Sequence, residues 1–381
     1  MKLFHTADWH LGKLIHGVYM TEEQRYILNQ FVEAVEQEKP DAVIIAGDLY
    51  DRAIPPTEAV DLLNQTLKRI VIDLKTPVLA IAGNHDSPDR VHFGSELMRS
   101  QGLYIVGRLQ YPHEPVVLKD EHGEVHFHLI PYADPGIVRG VLNNEDIRNH
   151  DDAMRMFLNH IHEQKNQNVR HVCVGHAFVT PMGEAKENTS ESERPLAIGG
   201  AEHVNSSYFE EFHYTALGHL HQGHYVRSER IRYAGSPMKY SISEEKHNKG
   251  FYIVELDASG DVTLSKRELT PRRDMRTVKG TLDEILQHDR NEDYVFVQLH
   301  DATPVMQPME KIRSVYPNAM HVERITQYTA TINEVTVQKH KVDDITLLQA
   351  FFREMKGNEL SEAQRQLFIQ VLEEVNEEER M

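Results

Sequence analysis

"AVIIAGDLYD", residues 42–51, decides the reading of this chain. Its apolar run from Ala42 to Ala46 has the length and character of a strand buried on both faces, and it breaks at Gly47 to deliver a carboxylate, Asp48. A lone Gly-Asp is an ordinary turn, but the arrangement recurs. "PVLAIAGNHD" (77–86) delivers Asn84 and His85, "HVCVGH" (171–176) delivers His176, and "YTALGHLH" (214–221) delivers His219 and His221. At the start of the chain, "HTADWHLG" (5–12) follows the apolar Leu3 and Phe4. It sets Asp8 and His10 at i and i+2, on the same side of an extended segment.

Segments of helical period lie between the first three runs. "EEQRYILNQFVEAVEQE" (22–38) repeats apolar residues at Ile27, Leu28, Phe31, Val32 and Val35, and "TEAVDLLNQTLKRIVID" (57–73) behaves similarly. Strand, helix and strand in alternation predict an α/β fold with parallel pairing. In such sheets ligands bind beyond the carboxyl ends of the strands, where all five polar clusters fall. The glycines allow sharp turns and close backbone approach. Two Asp, one Asn and several His converging there predict a composite metal site without thiolates, a donor set that suits Mn²⁺. Mg²⁺ more often keeps its waters than takes several imidazoles.

The 381 residues, 40% of them hydrophobic, are enough for two or three domains with real cores. Forty-one basic against 59 acidic residues leave a net charge of −18, so a broad cationic surface for nucleic acid is excluded and any DNA contact is local. The single cysteine, Cys173, permits no disulfide within the chain and points to a reducing, cytoplasmic setting. No signal peptide or membrane span is expected, because no apolar run approaches the ~18 residues a span needs. Most of the 24 histidines, among them His16, His113, His122, His150 and His288, read as solvated side chains.

The ordered set D-x-H, GDxxD, GNHD, GH and GHxH resembles the calcineurin-like metallophosphoesterases. "GDLYDR" (47–52), "GNHDSPDR" (83–90), "GGAEHV" (199–204) and "YAGSPMKYSISE" (233–244) resemble, within them, the bacterial DNA-nuclease subunits that work with an SMC-like ATPase. The likeness covers nearly the whole chain. It implies a two-sheet α/β sandwich flanked by helices, a small α+β cap and C-terminal helices. It also implies two divalent metal ions, one held by Asp8, His10, Asp48 and His221, with Asp48 bridging to a second held by Asn84, His176 and His219. His85 is then the group facing the scissile phosphate, and Arg52 and Arg90 are candidates for phosphate contact. Asp51 stands where the eukaryotic and archaeal relatives carry histidine, so that histidine's role does not transfer. His5 and His92 receive no role. The activity implied is metal-dependent 3′ to 5′ exonuclease action on duplex DNA, with endonuclease action at hairpins and single strands. Two other readings stay open, a phosphatase or small phosphodiesterase of the same superfamily and a non-catalytic scaffold. Protein phosphatases, however, carry GNHE where this chain has GNHD, and no ligand position is broken.

The expected organisation is a nuclease domain over 1–272, a cap over 273–335 and a partner-binding helical segment over 336–381. "PMGEAKENTSESERPLAIGG" (181–200) reads as a turn-rich loop beside the site, and "LTPRRDMRTVKG" (269–280) as a linker. In the cap, "YVFVQLHD" and "AMHVERI" read as strands flanking the helical "QPMEKIRSVY". By resemblance the chain pairs with a second copy through Leu62, Leu63, Phe93, Leu97 and Met98, giving a homodimer within a heterotetramer. At the end, "DDITLLQAFFREMKG" places Leu347, Leu348, Phe351 and Phe352 on one stripe. "LSEAQRQLFIQVLEEV" follows with a Ser361–Gln364 capping box and Leu367, Phe368, Val371 and Leu372 on another. The resemblance names the ATPase coiled coil as their partner. No nucleotide-binding P-loop occurs, so ATP belongs to that partner.

Overall fold

A computed structural model describes residues 1–182, 193 and 202–325, together with scattered positions between 349 and 371. Met1–Thr326 form one unit and Gln327–Met381 a second.

The first unit is built on two six-stranded sheets. In one, the parallel strands Lys2–Thr6, Ala42–Ile45, Val78–Ile81 and Leu103–Val106 lie side by side, and Gly250–Leu256 and Val262–Glu268 extend the edge antiparallel. In the other, Gly123–Ile130, Arg170–His176, Tyr214–Gly218 and Ser228–Tyr233 run parallel, flanked by Val116–Asp120 and Tyr225–Val226.

Strand alternation explains why the runs are apolar at every position. Leu3, Ala42, Ile44, Leu79 and Ile81 meet Phe127, Val172, Val174 and Ala216 of the opposite sheet in one core. Their neighbours Phe4, Val43, Ile45, Val78 and Ala80 face outward onto Ile27, Phe31 and Leu62, which belong to the helices Thr21–Glu38 and Thr57–Lys68. On the far side Cys173 packs under Phe157, Leu158 and Ile161 of the helix His150–Gln164. Each fully buried side chain of this size contributes roughly 1.5–3 kcal/mol. The result is the two-sheet sandwich flanked by helices, with the central strands of both sheets buried on both faces.

Met275–Gly280, Tyr294–Leu299 and Ala319–Arg324 form a separate three-stranded parallel sheet with its own core of Val278, Val295, Val297, Ile312 and Tyr316. Its first strand corrects the linker reading of 269–280. Only Met275 and Val278 are apolar and buried there, and Arg276 and Lys279 between and beyond them hid the strand signal. The helix Pro308–Ile312 falls within the expected segment.

Leu62 and Leu63 are buried in the chain's own core, which removes them from the expected dimer surface, whereas Phe93 and Leu97 are 84% and 82% exposed. In the second unit the capping box is present: Ser361 N donates to Gln364 Oε1 at 3.0 Å and Gln364 N donates back to Ser361 Oγ at 3.4 Å. Leu347, Leu348, Phe351, Phe368 and Leu372 lie outside the described residues. Among the described residues no helix is long and apolar enough to cross a membrane.

Candidate metal centre

All five polar clusters emerge at the carboxyl ends of strands, three from one sheet and two from the other. The turns are tight. Asp8, His10, Asp48 and His219 adopt φ of 54°, 43°, 50° and 106°, a region that L-residues enter at a cost of order 1 kcal/mol or more. Neighbouring hydrogen bonds hold them there: Asp8 N donates to Gly47 O at 3.1 Å, His10 N to Asp48 O at 3.0 Å, and His219 N to Asp8 Oδ1 at 3.0 Å. Gly47 takes φ 94°, and a Cβ at that position would strike the His176 imidazole. A Cβ on Gly83 would strike the Asp48 carboxylate. These glycines let the two sheets' loops close on one point.

Two clusters of donor atoms result. Asp8, His10 and His221 bring ligand atoms within 4.8 Å of one another, as do Asp8, Asp48 and His176. His10 Nε2 lies 3.1 Å from His221 Nε2 and 3.5 Å from Asp48 Oδ2; His176 Nε2 lies 2.9 Å from Asn84 Oδ1 and 3.5 Å from Asp48 Oδ2. Asp8 is common to both clusters, and Asp48 Oδ2 links the His10 ring of one to the His176 ring of the other. His219 joins through its backbone and through its ring, whose centroid is 5.5 Å from that of His176. His10, Asp51 and His85 form a third group, with His85 Nδ1 against Asp51 O at 2.8 Å and the His10 and His85 rings 4.6 Å apart.

The electrostatics fit a cation. Asp8 is fully buried and its pKa is pushed well up, by burial first and then by the charge of Asp48. Burial pushes His10 well below its ordinary value, with His221 and His85 adding to the effect, and burial also lowers His176 and His219. The imidazoles are thus neutral, and each offers a lone pair. His176 Nδ1 donates to Ala46 O at 2.9 Å, which leaves Nε2 as an acceptor facing the acceptors Asn84 Oδ1 and Asp48 Oδ2. Acceptors turned on one another without a proton between them form a cation-shaped arrangement. All these donors are carboxylate, amide oxygen or imidazole, as a divalent-ion site requires.

A family model for the calcineurin-like phosphoesterases matches residues 1–223, and the SbcD subunit of the SbcCD nuclease from Staphylococcus saprophyticus is 33% identical over 99% of both chains. The chain belongs to the SbcD family of nuclease subunits. The SbcD relative from Staphylococcus epidermidis is 32% identical over 96% of each chain, and a second model, for the type 5 capsule protein repressor C-terminal domain, matches residues 271–356. Among solved structures, a dimetal phosphatase from Danio rerio shares 11% identity, 71% of this chain and 97% of its own, at a TM-score of 0.41. As a member of the SbcD family the chain is a hydrolase of the metallophosphoesterase fold, and that fold implies divalent metal ions, for which the clusters above are the candidate holders.

Several residues around the centre received no role from the sequence, Asp86 among them although it closes the GNHD motif. Asp86 accepts from Leu49 N at 3.0 Å, Tyr50 N at 2.9 Å and Gly83 N at 2.9 Å, and so ties two motif loops together. Gln24 donates to His10 O at 2.8 Å and accepts from Gly12 N at 3.1 Å. Lys13 pairs with Asp51 at 2.8 Å, and Glu193 accepts from His221 N at 2.6 Å. Glu193 is the only described residue of the segment 183–200. Arg52 and Arg90 are exposed. His5 is buried between the sheets, its Nδ1 2.8 Å from the Tyr214 hydroxyl, and His92 contacts Ser95 at 3.4 Å. Neither joins the cluster.

Proposed function

We propose that this chain hydrolyses DNA phosphodiester bonds at two divalent ions, held by Asp8, His10, Asp48 and His221 on one side and by Asp48, Asn84, His176 and His219 on the other. The observation that carries this reading is the convergence of two imidazoles on one carboxylate oxygen, Asp48 Oδ2, which lies 3.5 Å from the Nε2 atoms of both His10 and His176. When bound, such ions activate water and neutralise charge on phosphate oxygens. Mn²⁺ is the favoured ion, because the set mixes imidazoles with oxygen donors and contains no thiolate.

The chain's own groups do the rest. His85 donates from Nδ1 to the Asp51 carbonyl, which leaves Nε2 for a substrate oxygen; as an imidazolium, it stabilises developing charge there or gives its Nε2 proton to the leaving group. Asp48 Oδ1 accepts from His85 N at 2.9 Å and fixes the loop that carries this imidazole. Arg52 and Arg90, both exposed, are in reach of solvent to take phosphates of the flanking strand.

Residues 1–272 act as the nuclease domain, 273–335 as a cap that guides DNA, and 336–381 as the segment that binds an SbcC-type SMC-like ATPase. The relatives are named for the SbcCD nuclease, and a net charge of −18 leaves this chain little electrostatic affinity for DNA on its own. Two copies in a heterotetramer with the ATPase, acting in the cytoplasm in DNA repair and recombination, complete the reading. The activity is 3′ to 5′ exonuclease on duplexes and endonuclease at hairpins and single strands. A nuclease assay on blocked-end and hairpin duplexes, with Mn²⁺ and with or without the ATPase, tests it. Hydrolysis of a phosphoprotein in preference to every DNA substrate would overturn it.

A further inference from the structure

We propose that Glu244 and Lys249 are positioning residues that set the tautomer of His221 and hold its Nε2 toward the metal. This rests on the reading of His221 as a ligand. The chain of contacts is short and buried. His221 Nδ1 lies 3.0 Å from Glu244 Oε1, and Glu244 Oε2 lies 2.5 Å from Lys249 Nζ. Lys249 Nζ then returns to the same loop, donating to His221 O and Ser236 Oγ, each at 2.8 Å. Glu244 is fully buried and Lys249 nearly so.

The chemistry assigns each group one task. Glu244 Oε2 and Lys249 Nζ form a buried ion pair, so Glu244 meets His221 as a carboxylate. An ionised carboxylate only accepts, so His221 must carry its proton on Nδ1. Nε2 is then the lone-pair nitrogen, and it faces His10 Nε2 at 3.1 Å. A carboxylate on the far nitrogen fixes ring orientation and raises ligand basicity. The bond from Lys249 to the His221 carbonyl fixes the backbone as Glu244 fixes the ring. His176 gets its orientation from a neutral carbonyl, Ala46 O, so the two clusters differ: one imidazole is backed by a charge, the other by a dipole.

The test uses the full chain with Mn²⁺ alone. Titration calorimetry and metal analysis on wild type, Glu244→Gln, Lys249→Met and His221→Ala should give a 10–100-fold weaker affinity for one ion in Glu244→Gln, with the second ion unchanged. Excess Mn²⁺ should restore hydrolysis of bis-p-nitrophenyl phosphate in that variant. Should a variant not fold, ¹⁵N-histidine spectra of the metal-free wild type decide, since His221 must show the Nδ1–H tautomer. An Nε2–H tautomer, or unchanged affinity in a folded Glu244→Gln, overturns the positioning role. If His221→Ala itself kept both ions, the ligand reading would fall instead.

Discussion

The backbone N–H of His85 donates to Asp48 Oδ1 at 2.9 Å, so a carboxylate of the candidate metal centre also holds the loop of the imidazole proposed to meet the substrate. The two residues are therefore separable in only one direction. His85→Ala leaves the seven proposed ligands in position and should lower phosphodiester hydrolysis by about 10²–10⁴-fold with metal content unchanged. Asp48→Ala removes the carboxylate proposed to serve both ions and the anchor of the His85 loop, and should lose metal and activity together. Metal analysis beside a bis-p-nitrophenyl phosphate assay distinguishes the two. Loss of metal in His85→Ala equal to that in Asp48→Ala would contradict the division.

Asp86 offers a stability test that does not involve the reaction. Its carboxylate satisfies three backbone N–H groups, those of Leu49, Tyr50 and Gly83, and is itself buried. Asp86→Ala strands these donors, at about 1–3 kcal/mol each, and should lower the melting temperature well beyond what an exposed substitution does. Asp86→Asn keeps an acceptor oxygen and should lose less. A melting temperature for Asp86→Ala within a degree of wild type would show that the clamp contributes nothing.

A histidine cluster remote from the candidate ligands predicts acid sensitivity. His128 Nε2 lies 2.9 Å from His171 Nδ1, and His113 stacks on His128 at 5.3 Å, with Phe157 and Phe212 beside them. Burial pushes His113 down to about 4, burial and then the neighbouring histidines push His128 down to about 2, and burial lowers His171. The unfolded chain takes up protons near pH 6.5. His113 and His128 in the folded chain do not until well below that, so stability is full above about pH 6.5 and falls as pH drops toward 4, by about 1 kcal/mol per pH unit for each of these two, with His171 acting in the same direction. Denaturant midpoints between pH 7.5 and 5 should show this slope, and His113→Phe should flatten it. A wild-type midpoint independent of pH would refute the prediction.

The strands and the donor residues were legible because both are written locally. Burial on two faces demands an unbroken apolar run such as 42–46, and a donor at a strand end must follow within a few residues, as Asp48 does. Met275–Gly280 was not legible, since its only apolar residues, Met275 and Val278, are three apart and enter different cores, so neither alternation nor a continuous run marks the strand. Glu244 lies 23 residues from His221, and nothing near it in sequence marks its burial, which comes from packing against distant elements. Leu62 and Leu63 illustrate the opposite failure: an apolar helical stripe looks the same whether it faces its own sheet or a second copy. His5 shares its residue type with the ligands and adjoins their motif, yet it precedes the turn and its side chain is spent on Tyr214.

Ser361 and Gln364 cap the start of a helix in which Leu367 and Val371, one turn apart, are 63% and 46% exposed. Two aliphatic side chains on one exposed helical face, after the catalytic unit has closed its own cores, form the kind of stripe that docks onto a groove or a coiled coil. Replacing both by aspartate places two charges on that exposed face. Binding to the SbcC-type ATPase should fall by at least about tenfold, since desolvating even one unpaired charge exceeds the ~1.4 kcal/mol that a factor of ten represents. Metal content, melting temperature and hydrolysis of bis-p-nitrophenyl phosphate by the chain alone should stay within error of wild type. Co-purification and calorimetry with the ATPase measure the first outcome. Unchanged binding would assign the docking surface elsewhere, and a fall in melting temperature of several degrees would return Leu367 and Val371 to the packing of this chain itself.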